Sequence, residues 1–464
     1  MTLRPFLQTI FALSLMLSLS ACQPAPLTAQ EHATVTELTT DMKIHCVGRY
    51  LIDMPADIET YGSAKLRGID AKVEAMTQEE FLHGMRKREA ELKATKSLLG
   101  YQFLYGDKEY PIPGSSTKQL RSRDVWHFIS LGSDGEPSDA NRVIEAYKWD
   151  RGYRIKLNIE GSDFAMSRHK DEPWVKKKSK ESQNDVPSKL QAVLSMLYRF
   201  RALEPGEIPK DPGVCLTGGF IQTSIFDQEE VSIGFHLLQH QDVYFKFKTD
   251  TSLTEKDTLL QRASQIKAAL KSRDGKTLRK GSLDSKDLPT AEEWLASARM
   301  HAGALGYFFM LEANSLNNSA KTPLLSLNMK TGVFEKEQGT VPEHGSLTEG
   351  EAIAVWDAIS RSIRMRPEAM DFKTVVLPRS TLTVPIVSSG EPCPESGHWI
   401  TRCDGEPYSR LVFKGNLMPS IAVMQAVPYR WLPKRINTWL AQRQRLPMTQ
   451  VEREVRWILQ TFLE

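Results

Sequence analysis

The sequence is poor in reactive signatures and in cysteine. Its 464 residues hold five cysteines, Cys22, Cys46, Cys215, Cys393 and Cys403. No CxxC pair or zinc-like spacing occurs among them, which argues against a metal held by thiolates. There is no GxSxG, so the nucleophile elbow of the α/β hydrolases is excluded. There is no HExxH, so the zinc-protease helix is excluded as well. Neither sign of charge dominates: 60 Lys+Arg stand against 57 Asp+Glu, a net of +3. That balance removes a general nucleic-acid binder. Beyond the N-terminal segment no apolar run has the length needed to cross a membrane.

The weaker patterns carry little. His236 and His240 have the separation of two ligands on a helix, but "IGFHLLQHQDVYF" reads as strand. Positions four apart on a strand share a face about 13 Å from each other. The "SSTK" at Ser115 to Lys118, the "SLN" at 315–317 and the "KTG" at 330–332 imitate the motifs of penicillin-binding proteins. That mechanism needs its serine on a buried helix, and "SSTKQLRSRD" has no apolar stripe. The run Lys176-Lys177-Lys178 reads as a solvated loop. No catalytic residue, metal or cofactor is expected.

What is present begins at the N-terminus. Arg4 is the only charge before position 22, Phe11 to Leu19 is apolar, and "LSAC" ends at Cys22. This reads as a secretory signal over 1–21. Its end resembles the bacterial lipoprotein box, which implies cleavage before Cys22 and acylation there. Gln23, rather than Asp, favours the outer membrane in that sorting pattern. Residues 22–41, rich in Pro, Ala and Thr, read as a tether to a periplasmic body that folds from Met42. Acylation of Cys22 leaves four cysteines. Cys393 and Cys403 lie close in a loop-rich stretch, which predicts a local disulfide. Cys46 and Cys215 then bond each other or stay buried unbonded, and an oxidising compartment permits either.

The chain repeats itself. "IHCVGRYLIDMP" opens one half and "GVCLTGGFIQTSI" the other, 169 residues apart at the cysteines. Each half continues with an extended segment and then a helix. One helix opens at Thr77-x-x-Glu80 and carries Phe81, Met85 and Leu92; the other opens at Thr254-x-x-Asp257 with Leu259, Ala263, Ile266 and Leu270. More strands follow, and an extra helix is predicted at Thr290–Met300. Each half closes on a helix, one striped by Leu190, Val193, Leu194 and Leu197, the other by Ile353, Trp356, Ile359 and Ile363 behind a Thr348/Glu351 box. The expected class is α+β: two similar tandem domains over 42–205 and 206–370, each an antiparallel sheet with packed helices, joined through "EPGEIPKDPG". Residues 371–464 form a third module, with a terminal helix striped by Val451, Val455, Ile458 and Phe462.

The pieces "HCVGRYLIDMP", "GVCLTGGFI" and "GSLTEGEAIAVWDAISRSIRMRPEAM" resemble the cognate immunity proteins of the fourth class of type VI secretion lipase effectors. The likeness covers roughly 42–370. "EPCPESGHWITRC" with "FKGNLMPS" resembles the CPxSGxW module appended to several type VI-associated proteins. The resemblance implies a periplasmic, membrane-anchored protein, not an enzyme, whose two domains grip a phospholipase effector like a claw and protect the cell from itself and its sisters. Partners would be that effector and, through the lipid anchor, a membrane. Aromatic anchors at such an interface would include Tyr105, Tyr110, Trp174 and Tyr307. The alternatives are a periplasmic hydrolase acting on lipid or cell wall, and a structural lipoprotein of envelope assembly.

Overall fold

The computed structural model describes residues 26–97, 100, 102–105, 125–132, 139–173, 175–177, 184–223, 228–316, 319, 322–334, 341–370, 386–394, 397–403, 406–412, 415–426 and 448–462. The class is α+β, as expected. Helix α1 (Ala29–Thr40) comes first, then strands β1 (Lys43–Val47), β2 (Tyr50–Met54), β3 (Ile58–Leu66) and β4 (Ile69–Ala75). Helix α2 (Gln78–Ala94) leads to β5 (Leu104–Tyr105), β6 (Val125–Leu131), β7 (Asn141–Asp150) and β8 (Tyr153–Ser162). Helix α3 (Val186–Arg199) and β9 (Phe200–Ala202) end the first half. The second half repeats the plan: β10 (Gly213–Leu216), β11 (Gly219–Gln222), β12 (Glu229–Leu237), β13 (Tyr244–Asp250), α4 (Ala263–Lys271), β14 (Lys276–Ser282), β15 (Glu292–Arg299), β16 (Leu305–Ala313), β17 (Leu324–Lys330), α5 (Glu349–Ser360) and β18 (Arg364–Met365).

The two halves do not build separate sheets. They share one of twelve strands, ordered β14-β15-β16-β17-β13-β12-β3-β4-β8-β7-β6-β5. Read outward from the β3/β12 seam, the halves follow the same order. The seam pairs Glu229–Leu237 with Leu66–Ile58 in antiparallel fashion, so equivalent strands meet as at a two-fold axis. The small strands are exchanged across that axis. β9 pairs with β11 of the second half, and β18 pairs with β2 of the first.

One face of the sheet is the core. Ile144, Ala146, Ile155 and Leu157 from the first half join Phe245, Leu295, Phe309 and Leu327 from the second. α3 covers β7 and β8, and α5 covers β16. The expected stripes face inward: Val193, Leu194 and Leu197 on α3, and Trp356 and Ile359 on α5, are fully or almost fully buried. Trp356 meets Phe309 edge-on at 5.8 Å, and its indole N–H donates to Glu293 at 3.1 Å. That bond removes the penalty of burying a polar indole.

Four local expectations are corrected. The tether reading fails over 29–40, because Thr28 and Glu31 form a capping box and Leu38 is buried. The predicted box at Thr254/Asp257 gives way to a reciprocal pair at Thr258 and Gln261, and α4 starts only at Ala263. The predicted helix at Thr290–Met300 is β15, held on both edges by β14 and β16. Its two faces are both covered, with Trp294 under α4 and Leu295 in the core, so no alternation marks it as a strand.

The fourth correction concerns the end of the chain. Strands β19 (Ile386–Ser388), β20 (Gly397–Cys403), β21 (Glu406–Val412), β22 (Ile421–Ala426), β23 (Met448–Arg453) and β24 (Arg456–Phe462) form sheets ordered β19-β24-β20-β21 and β22-β23. The predicted terminal helix is therefore two strands; Thr449, Val451, Ile458 and Thr461 are β-branched and suit a sheet. Trp399 is fully buried among Cys393, Cys403, Val412 and Met418. Cys393 and Cys403 are not bonded to each other. Cys393 Sγ lies 3.7 Å from the carbonyl of Val412, opposite Gly397, whereas Cys403 is at the other end of the hairpin opposite Glu406. Six residues of strand separate those ends by about 20 Å, far beyond disulfide reach.

Candidate functional site

Among the described residues, the second face of the sheet is covered at its two ends. At the β5–β7 end α2 lays Phe81, Met85 and Leu92 against Phe128 and Tyr147. Its Thr77/Glu80 capping box is formed as expected. At the other end Leu259 and α4 residues Ala263, Ile266 and Leu270 cover Trp294 and Ala296. Between these clusters run β17, β13, β12, β3, β4 and β8. At about 4.8 Å per strand this opening is roughly 25 Å wide, and each bounding helix rises about 10 Å above it. The result is a trough with equal shares of both halves in its floor.

Period-two alternation explains why the floor is polar. Residues whose neighbours point into the core point here. Across the seam they run Tyr61, Gly234, Lys246, Asn328 in one line and Glu59, His236, Tyr244, Lys330 in the next. Tyr61 is 53% exposed. Its ring lies over Gly234, where a Cβ would collide with it, so the glycine is what admits the ring. His236 stacks on Tyr244 at 4.3 Å and 4°, and its Nε2 meets the carbonyl of Gln241 at 2.9 Å. Lys330 stands over Phe308 at 5.6 Å.

Most charges on the floor are neutralised. Lys248 sits between Glu230 (2.8 Å) and Asp250 (3.1 Å), and Lys65 meets Asp70 at 3.3 Å. Glu145 receives Lys156 at 2.7 Å, Arg88 at 3.0 Å and the Tyr147 hydroxyl at 3.0 Å. Burial alone would raise the Glu145 pKa, but the two cations hold it below the usual carboxylate range.

Behind the seam the halves are locked. Cys46 and Cys215 form a disulfide between equivalent strands. Gly48 and Cys215 exchange backbone bonds beside it. Arg49 grips Glu229 through Nη2 (2.6 Å) and Nε (3.0 Å), with both side chains buried, and donates to Ala369 O at 2.7 Å. Arg366 donates to the carbonyls of Pro209, Asp211 and Gly213 at 2.6, 2.9 and 2.8 Å. Burial, and then the nearby Arg49, lower its pKa to about 10. The proline-rich linker is thereby pinned along its last residues.

Of the four aromatic anchors proposed from the sequence, the two among the described residues, Tyr105 and Tyr307, lie far apart in the sheet. Tyr105 is half-buried in β5 beneath the Arg142 guanidinium, 3.9 Å from its ring. Tyr307 lies on the covered face against the core, where burial and then Glu349 push its hydroxyl up to about 12. Tyr110, Trp174, Cys22 and Ser115 to Lys118 lie outside the described residues. His236 and His240 do not converge: His240 Nδ1 meets Ser346 Oγ at 2.9 Å instead. Among the described residues no cluster of metal-ligating side chains occurs. Sequence reasoning missed Tyr61, Lys246 and Lys330. The alternation over "VYFKFK" did put Lys246 opposite the core; what no pattern could give was the neighbour of β12 across the seam.

Known structures share this architecture. The apo structure of the type VI secretion immunity protein TplEi from Pseudomonas aeruginosa is similar at 22% identity and a TM-score of 0.53, covering 70% of this chain and 97% of that one. A chain in the crystal structure of the Tle4-Tli4 complex is similar at 22% identity and a TM-score of 0.53, covering 71% and 99%. These likenesses define the class of fold, a fused pair of α+β halves. The models for the N-terminal and C-terminal domains of Tle cognate immunity protein 4 match residues 43–202 and 207–368, together more than half of the chain. The chain belongs to the Tle cognate immunity protein 4 family. Comparison with curated proteins returns no match.

Proposed function

We propose that this protein binds a cognate type VI lipase effector and neutralises it, receiving part of the effector in the trough between α2 and α4. Membership of an immunity family supports a role in binding rather than catalysis. The observation that carries the reading is the pair of halves locked behind the seam and left open in front of it. A rigid, preorganised receptor loses little conformational freedom on binding. A floor roughly 25 Å wide accommodates one or two helices of a partner. The similar complex, in which Tle4 and Tli4 are bound together, supports a Tle4-like effector as partner here.

The site of action we propose is the periplasm, with the body held at the outer membrane through an acylated Cys22. The support is the signal-like N-terminus and its "LSAC" ending. The disulfide between Cys46 and Cys215 is consistent with an oxidising compartment.

Co-expression tests the central claim. A periplasmic lipase effector from the same genome should kill a host alone and be tolerated when the full chain is present, and the two should co-purify. Survival with no complex formed, or esterase activity from the purified chain alone, would sink the reading. For the anchor, Cys22→Ser should release the protein from membranes while leaving inhibition in solution intact.

A further inference from the structure

We infer that Lys246 and Lys330 form the seat for an acidic segment of the effector, with Tyr61 as its apolar lip. This rests on the proposed binding of a lipase in the trough and adds the chemistry of what enters it.

Lys65, Lys72, Lys156 and Lys248 each have a carboxylate within 3.3 Å: Asp70, Glu74, Glu145, and Glu230 with Asp250. Lys246 and Lys330, both exposed, pair with no carboxylate among the described residues. They are diagonal neighbours. Lys246 faces Asn328, and Lys330, two residues further along β17, faces Tyr244. That places their backbones about 7–8 Å apart on the same face, where like charges repel. An incoming carboxylate relieves the repulsion and finds two donors at once.

The surroundings suit a protein segment. Lys246 lies directly across Gly234 from Tyr61, whose exposed ring occupies the space the glycine leaves. The His236/Tyr244 stack borders the other side, and Phe308 backs Lys330. A ligand with an acid tip and an apolar flank, as on an amphipathic helix or a loop carrying Asp or Glu beside an aliphatic residue, fits both. The floor lies about 10 Å below the crests of α2 and α4. A projecting segment reaches it, and the plane of a bilayer does not.

The test uses the full chain and the lipase with which it co-purifies. Wild type should bind with an affinity that falls steeply between 50 and 500 mM NaCl, as expected when charges steer association. K246E/K330E should bind at least ~100-fold more weakly and lose most of that salt dependence. Tyr61→Ala should lose ~10-fold or more and keep the salt dependence. Both lysines are exposed and lack acid partners among the described residues, so an unchanged melting temperature would show that the double variant is folded; K246Q/K330Q, with an intermediate loss, is the check against charge reversal acting by repulsion alone. If wild type and K246E/K330E bind equally with the same salt slope, the acidic seat is wrong while the immunity reading stands. If wild type binds no lipase, both fall. Phosphatidylglycerol vesicles are the remaining probe: capture of wild type but not of K246E/K330E, with lipase binding unchanged, would assign the pair to lipid and overturn the inference.

Discussion

His45 stands in β1 with its ring edge-on to Phe235 at 5.4 Å, and its buried Nε2 finds no hydrogen-bond partner. Burial, and then the charge of Lys43, keep its pKa below the ordinary histidine value. A depressed folded pKa means that the contribution to stability is present above about pH 6.5 and is lost as pH falls through the folded value. His45→Phe should therefore flatten the decline of melting temperature between about pH 7 and pH 5. An unchanged slope would remove the ring as its source. Glu145 acts further down: its lowered pKa gives stability that fades only as pH falls below about 4.3. Gly234→Ala is a different kind of change. The clash is with the free end of the Tyr61 ring, which can swing outward. On this exposed face the gain of Ala over Gly in a strand offsets the displaced ring, so stability should change by less than about 1 kcal/mol, whereas affinity for the lipase should drop with the lip displaced, as a melting curve and a binding isotherm would report.

At the scale of elements, α1 is the least obvious piece. Glu31 accepts from Thr28 Oγ1 at 2.9 Å and from Thr348 Oγ1 at 2.7 Å, so one carboxylate serves the starts of α1 and α5. Hydrogen bonding to the Thr28 backbone and then to Thr348 lowers its pKa. Gly350 lets Leu27 and Glu31 approach α5 closely. Twelve residues are too few for a stable isolated helix, so α1 depends on this docking. Glu31→Ala should raise hydrogen exchange across residues 29–40 and leave the sheet protected. Equal exchange in both proteins would show that the carboxylate is not what holds the helix.

Legibility in the sequence followed the strength of local pattern. Capping boxes at Thr77 and Thr348 were visible because a side chain and a backbone N–H three residues away suffice to make them. The stripes of α3 and α5 were visible because one face alone is buried. β15 was hidden because burial on both faces erases alternation, and α1 because its few apolar residues matter only against α5. The open trough was half legible: alternation separated Lys246 from Phe245 and Phe247, but which strands lie beside it is a property of the seam, fixed by contacts between residues about 170 positions apart.

For the whole molecule, the seam and its staples decide whether two halves behave as one body. Cys46 and Cys215 close a loop of 169 residues. In the chain-entropy account such a cross-link contributes about 5 kcal/mol, less any native strain. Cys46→Ser should lower the melting temperature by several degrees or more, and dithiothreitol should do the same to wild type and nothing further to the variant. Arg49→Met leaves Glu229 buried without its cation, at a cost of about 3–5 kcal/mol. Replacing both Arg49 and Glu229 by apolar residues should recover much of that loss, and a chemical denaturation series would measure the difference.

The trading of β9 and β18 between halves has a consequence for synthesis. A ribosome that has delivered only the first 205 residues has made a β9 with nowhere to lie and a β2 whose outer edge waits for residues 364 and 365. At ~5–20 residues per second that mate arrives roughly 10–30 seconds later. Until then the nascent product carries raw edges and no finished shield. A fragment that stops at residue 205 therefore lacks both of the strand pairings by which the halves trade their small strands.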